Sequence, residues 1–332
     1  MIEPAAQLVP DVFRKDLEKK PTRDGFGTGT VEAGKLDPNV VVLCADLKES
    51  TRAEWFEKEF PERYIEVGVA EQNLATVAAG LAAVGKVPFF ASYAAFSPGR
   101  NYEQIRTTLA LNERKAIVCG MHAGVSVGPD GATHQMLEDI GLMRSLPGMQ
   151  VIVPSDAEEA RKAVLAAAAS DGPTYIRFGR AGVPVYTTPE TPFAIGKALR
   201  LWASEKPRVA IMTTGPLAYE ALIAARALDA DGIGSIVLSL PSVKPLDETA
   251  VLAAATLAGR VITVEEHQVA GGFGSAIAEY LSGVHPVRIE RMGILDSFGQ
   301  SGEPAELLAH YQLDSVAIAA KARAMLGGTQ SV

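Results

Sequence analysis

The sequence predicts an α/β protein of two domains, each a mainly parallel sheet flanked by helices. Three observations carry that expectation. Short β-branched apolar runs alternate with helical patterns along almost the whole chain. The strand runs are apolar at consecutive positions, as in strands covered on both faces. The alternation breaks once, over 183–192, where VPVYTTPETP holds three prolines and no periodicity. The reading is an N-terminal extension at 1–20, a first domain at 21–186, a linker at 187–193 and a second domain at 194–332.

In the first domain the strand runs are Val40–Cys44, 87–91, 116–119, 150–153 and 175–178. Helical patterns fall at 71–84, 98–111, 134–145 and Ala157–Ala169, the last with Asp156 placed as N-cap. In the second domain strand runs at Val209–Thr213, 236–240, 261–264 and 287–291 alternate with helices at 216–228, 247–257, 274–281 and 314–325. One segment conflicts with its neighbours. RDGFGTGTVEAG, 23–34, stands where a helix should precede the first strand, yet each interior glycine costs about 1 kcal/mol against alanine. It reads either as a helix imposed by packing or as a loop that orders on binding.

Composition narrows function. At 332 residues, 48% hydrophobic, the chain has enough apolar mass for two cores. A net charge of −8 argues against nucleic acid or an anionic membrane surface as main partner. Cys44 and Cys119 each end an apolar run and read as buried, reduced thiols, with no metal spacing around them. The first twenty residues carry acids and no unbroken apolar core, so no signal peptide is expected; the expectation is a cytoplasmic protein without a membrane span.

The stretch from Tyr64 to Gly85, YIEVGVAEQNLATVAAGLAAVG, is central. A short apolar segment breaks at Gly68, and Glu71 then opens a helix that is apolar nearly all round. Glu71 is thus a carboxylate at the mouth of a buried helix. The ordinary reading is an acid on the positive end of a helix dipole; the sharper one is a buried carboxyl used on a ligand. FFASYAAF at 89–96 is a core strand and its exit, or a flat platform for a planar ring at Tyr93 or Phe96. The loop HAGVSVGPDGATH at 122–134 puts two histidines and Asp130 at the carboxyl edge of the predicted sheet, where such sheets bind ligands. Its GVSVG run mimics a nucleophile elbow at Ser126, but Pro129, Asp130 and Gly131 follow instead of a helix, which excludes a serine hydrolase. Arg177 and Arg180 flank a strand end, and GGFG at 271–274 looks like a weak anion-binding turn.

Together GVAEQNLATVAAGLAAVGKVPFFASYAAFSPGRNYEQIR, DGATHQMLEDIGLMRSLPGMQVIVPSD, SVKPLD, VEEHQVAGGFGSAIAEYL and RMGILDSFGQSGEPAELL resemble the C-terminal half of transketolase, from about Thr22 onward. The resemblance implies a thiamine diphosphate-binding pyrimidine domain followed by a transketolase C-terminal domain. It implies that Glu71 hydrogen-bonds the aminopyrimidine nitrogen and so favours the tautomer that deprotonates the reactive carbon. It places Phe96 and Tyr93 around the pyrimidine, and Asp46 and Leu47 near the cofactor. For a sugar phosphate it implies Arg23, Ser50, His122 and Arg180 as phosphate ligands, Asp130 on a donor hydroxyl, and His134 on the reacting oxygen. Pro129 stands where the family often has an acid. The Gly-Asp-Gly…Asn signature that holds magnesium is absent from the sequence. The implied protein is one subunit of a split enzyme, in a two-plus-two assembly with a diphosphate-binding subunit that holds Mg2+; no metal ligand is assigned to this chain. Rival readings are the beta subunit of a 2-oxoacid dehydrogenase decarboxylase, half of a deoxyxylulose phosphate synthase-like enzyme, and a non-catalytic assembly subunit.

Overall fold

The computed structural model describes residues 1–327. The strands, in chain order, are β1 (Val40–Cys44), β2 (Tyr64–Glu66), β3 (Val87–Tyr93), β4 (Ile117–Met121), β5 (Gln150–Ile152), β6 (Thr174–Arg177), β7 (Leu199–Ala203), β8 (Val209–Thr213), β9 (Ser235–Ser239), β10 (Ser242–Lys244), β11 (Arg260–Gln268) and β12 (Arg288–Ile294). The main helices are α1 (Thr22–Leu36), α2 (Glu71–Ala83), α3 (Asp139–Arg144), α4 (Ala157–Ala169), α5 (Leu217–Ala230), α6 (Glu248–Ala258), α7 (Phe273–Val284), α8 (Pro304–His310) and α9 (Ser315–Gly327). None is long and apolar enough to cross a membrane.

Two sheets result. One has seven strands in the order β10-β5-β6-β4-β3-β1-β2, the other five in the order β12-β11-β8-β9-β7. Every pairing in the first is parallel except β10 with β5, and every pairing in the second except β7 with β9. The α/β reading with two helix-flanked, parallel-rich sheets is therefore correct. β1 and β4 are buried at every position, which is why they read as apolar runs; β6 is buried throughout although it carries Thr174 and Arg177. Cys44 and Cys119 are buried and unpaired.

Several elements differ from expectation, each for a local reason. The glycine-rich segment is helix, α1, because it crosses α4 at very short range. A Cβ on Gly25 would lie 2.6 Å from that of Ala160, and one on Gly29 2.8 Å from that of Val164. On the other side, Gly34 leaves room for the rings of Phe56 and Phe60. The helix expected at 98–111 starts late: residues 94–101 turn, Tyr102–Gln104 forms one helical turn, and Ile105–Ala110 is wound as a π-helix. The helix expected at 134–145 is reduced to α3, because Gln135 holds residues 131–138 open: its Nε2 donates to Val125 O earlier in the same loop and to Gln300 O in the second half of the chain. The unstructured reading of 183–192 misses Val183–Pro184, which pairs antiparallel with Lys19–Lys20. β7, β10 and α8 were not foreseen; β10 lies beyond the linker yet closes the edge of the first sheet. The N-terminal residues are tied down too, since Met1 N donates to Ala203 O at 2.8 Å and Ala6 and Val12 are buried against the second sheet's helices.

Candidate active site

The carboxyl ends of β1, β3, β4 and β6 open on one edge of the seven-stranded sheet, and the candidate residues follow directly from them. Two strand exits place non-glycine residues in the left-handed region: Asp46 after β1 (φ 58°) and His122 after β4 (φ 54°). Strained backbone of this kind persists where the surroundings over-determine it, often at functional sites.

Four rings form the centre. Tyr93, the last residue of β3, stacks on His122 with centroids 4.2 Å apart and on Phe96 at 5.9 Å. His134 meets both Tyr93 and Phe96 edge-on, at 5.8 and 5.5 Å. Within FFASYAAF, Tyr93 and Phe96 thus stand together at the sheet edge, while Phe89 and Phe90 are core. His134 Nδ1 shares a hydrogen bond with Thr133 Oγ1 at 2.9 Å.

Glu71 is the first residue of α2 and is 2% exposed. Arg100, which sequence reasoning missed, donates from Nη1 to Glu71 Oε2 at 2.7 Å and lies over the Phe96 ring at 4.7 Å. Asn101 Nδ2 donates to the Glu71 carbonyl at 2.8 Å. Both come from the turn between β3 and the next helical residues, so the same turn presents Phe96 and clamps Glu71.

On the other side lies a cluster of cations. Arg23 Nη1 donates to His122 Nε2 at 2.8 Å and to the Ser50 carbonyl at 2.7 Å. Guanidinium groups only donate, so His122 Nε2 accepts and the ring proton is on Nδ1, which has no partner among the described atoms. Burial first, then Arg23 and Arg180, hold the His122 pKa down to about 3, so the ring is neutral at ordinary pH. Burial also lowers the Arg23 pKa, helped by Arg52 and Arg180. Arg180 Nη1 donates to Val127 O at 3.0 Å and meets Asp130 Oδ1 at 3.3 Å. Ser50 joins this cluster through its carbonyl, not its hydroxyl. Asp46 and Leu47 lie further along the edge: Asp46 N donates to Glu66 Oε1, and Leu47 packs with Tyr93 and Tyr64 against the core.

Other sequence candidates have different employment. Arg177 is no anion ligand: it is buried, and its Nε donates to Asp139 Oδ2 at 2.7 Å. The GGFG turn is already filled, because the buried Glu265 carboxylate accepts from Phe273 N at 2.6 Å and Gly274 N at 2.8 Å. Ser126 stands on a single helical turn, Val125–Val127, and its N–H donates to Glu266 Oε2.

Among the described residues no group of three His, Cys, Asp or Glu gathers to hold a metal ion. Residues 18–185 match the family model described as the transketolase pyrimidine binding domain, and residues 196–318 match the transketolase C-terminal domain. Fold and match together define a protein of the thiamine diphosphate-related class. A Methanocaldococcus jannaschii chain described as a transketolase C-terminal section is 40% identical over 304 residues, 90% of this chain and 94% of its own length. A 6-deoxy-6-sulfo-D-fructose transketolase subunit from a Clostridium strain is 40% identical over 87% of this chain and 89% of its own. A solved structure described as a split gene transketolase, inactive beta4 tetramer, superposes with a TM-score of 0.84 at 43% identity, over 90% of this chain and 96% of that one. This chain belongs to the transketolase family.

Proposed function

We propose that the chain is the C-terminal subunit of a split transketolase, with the domain division at 187–193, moving a two-carbon ketol unit from a ketose phosphate to an aldose phosphate. The observation that carries this reading is Glu71, 2% exposed and joined through Arg100 to the Phe96 ring, in a chain whose relatives are C-terminal sections and subunits. When bound, thiamine diphosphate would supply the nucleophilic carbon for ketol transfer. Glu71 would share a proton with the aminopyrimidine ring nitrogen and so favour the imino tautomer, and the low dielectric of the site would strengthen that hydrogen bond. Tyr93 and Phe96 present flat faces to the ring, and Asp46 and Leu47 border the cofactor.

Arg23, Arg180, the neutral His122 and Ser50 form the mouth that takes a phosphate; guanidinium forks suit its geometry. Asp130 accepts from a donor hydroxyl, and His134 hydrogen-bonds the reacting oxygen and moves its proton. The diphosphate and Mg2+ belong with a separate subunit in a two-plus-two assembly in the cytoplasm. The related split-gene tetramer, described as inactive, agrees with a lone chain that does not turn over.

The test mixes the purified chain with a candidate diphosphate-binding subunit and follows ketol transfer between sugar phosphates. Turnover is expected only from the pair. Glu71→Ala in the pair should lose turnover by roughly 100-fold or more, the scale of one electrostatic contact to the reacting group. Its circular dichroism should match the parent, and cofactor titration should weaken. Turnover by the lone chain, or near-parental activity in the mutant pair, refutes the assignment.

A further inference from the structure

The loop that carries Asp130 and His134 is gripped from the second domain. Two contacts come from the end of β11: Glu266 Oε2 accepts from Ser126 N at 3.0 Å, and Gln268 N donates to Leu137 O at 2.8 Å. Two more come from the segment before α8. Gln135 Nε2 donates to Gln300 O at 3.0 Å. Gly131, left-handed at φ 70°, lies against Ser301, so that a Cβ on it would stand 2.5 Å from Ser301 Oγ. The root of the loop is buried at 122–128 and 135–137, whereas Pro129, Asp130, Ala132 and Thr133 near its tip are exposed.

Gln135 is the side chain that spans this loop. Its amide nitrogen carries two protons and faces two carbonyl oxygens, Val125 O at 2.9 Å and Gln300 O at 3.0 Å. One bond closes the loop on itself, from 135 back to 125. The other fastens that closure to the second domain. The side chain is 4% exposed, and its Oε1 is buried without a partner against Gly299, where a Cβ would collide with it. The hydrogen bonds Gln135 makes through its side chain are therefore the two that fasten the loop. His134 precedes it directly, and His134 N and Gln135 N both donate to Gly131 O at 3.0 Å. The main chain that carries the imidazole is thus tied both to the turn at Gly131 and, through Gln135, to the second domain.

We propose that Gln135 is a positioning residue, through which the second domain sets His134 beside Tyr93 and Phe96 in the geometry that ketol transfer uses. It acts through the main chain it anchors. The inference rests on the role given to His134 in the proposed function.

Hydrogen exchange on the purified full-length chain tests the tie without any turnover. Gln135→Met keeps the side chain's length and removes both donors. Gly299→Ala pushes on Gln135 from the second domain and leaves the loop's own residues intact. The amides of Ser126, Gly131, His134 and Gln135, each hydrogen-bonded in the parent, should exchange about tenfold faster or more, while those of β4 and β6 keep their parental rates. With the diphosphate-binding subunit present, Gln135→Met should lower kcat per bound cofactor by roughly ten- to a hundredfold at unchanged cofactor affinity, the scale of a small misplacement of a reacting group. In a His134→Ala background the same change should cost at most about twofold, because the group it positions is gone. Parental exchange rates in both variants overturn the tie. Parental turnover in the Gln135→Met pair, the full loss repeated in the His134→Ala background, or a loss matched by weaker cofactor binding overturns the positioning role. If His134→Ala alone turns over like the parent, the role of His134 in the proposed function falls and the positioning role with it, while exchange still decides whether the second domain ties the loop.

Discussion

His122 shows how much of the candidate site is decided by one side chain's surroundings. Its folded pKa, about 3, lies below the ordinary 6.5 because it is buried beneath Arg23 and Arg180. Between those values the unfolded chain binds a proton that the folded chain does not, so stability rises with pH across that window and falls on acidification. Glu159 and Glu265 act oppositely: burial raises each from 4.5 to about 7, so their contribution is complete at low pH and is lost as pH rises through 7. The slopes oppose one another, and His122→Gln isolates one of them. Acidification from pH 6.5 to 4.5 should cost the parent more melting temperature than it costs His122→Gln; a constant offset between the two rejects the account. Glu71 and Arg100 give a second residue-scale expectation. Removing Arg100 leaves a buried carboxylate unpaired, but Arg100 itself is half exposed, so Arg100→Leu should cost about 1–3 kcal/mol, below the range for a fully buried pair. In denaturant unfolding, Glu71→Gln/Arg100→Leu should cost about 1 kcal/mol less than the sum of the single changes. Strict additivity counts against a coupled pair. Glu71, Tyr93, Phe96 and the loop histidines were legible because their spacing placed them at strand exits and a helix start. Arg100 was not, because nothing in SPGRN says which way its turn folds back.

At the scale of elements, α1 carries the clearest conflict between propensity and packing. Its glycines are unfavourable to an isolated helix, and the close crossing with α4 reverses the balance. Gly25→Ala and Gly29→Ala should each gain about 1 kcal/mol of helix propensity and lose about 1–3 kcal/mol to overpacking, lowering the melting temperature. Gly80, an exposed position in α2 with open space where a Cβ would go, is the control: Gly80→Ala should stabilise by up to about 1 kcal/mol. If all three substitutions shift stability the same way, the packing explanation of α1 fails. The helices at 98–111 and 134–145 were misjudged for a related reason. Periodicity reports which residues prefer a buried face. It does not report that the loop at 131–138 is held by Gln135 to carbonyls of Val125 and Gln300. The GGFG turn was read as open to an anion, and the competing carboxylate, Glu265, comes from the strand just before it.

At the scale of the whole molecule, the two halves are joined by more than a linker. β10 pairs with β5 across the division, and one apolar cluster runs from Leu74 and Phe90 through Val151 to Met212 and Val251. The buried Arg177 binds Asp139 and donates from Nη2 to Met136 O at 3.2 Å and Glu266 O at 2.8 Å, bridging both halves. Arg177→Met strands the Asp139 carboxylate and should cost about 3–5 kcal/mol in denaturant unfolding, whereas Arg177→Met/Asp139→Leu should recover much of it. A single change with no effect on stability refutes the bridging role. The amino-acid order alone was enough for the α/β class, the succession of most strands, the family and the carboxylate and rings at the sheet edge. These follow from apolar periodicity and from residues close together in the chain. Folding was needed to make α1 a helix, to close Arg100 on Glu71 and to give Arg177 a structural role. Each of those depends on segments far apart in sequence meeting at contact distance, where close packing and the pairing of buried polar groups outweigh local preference.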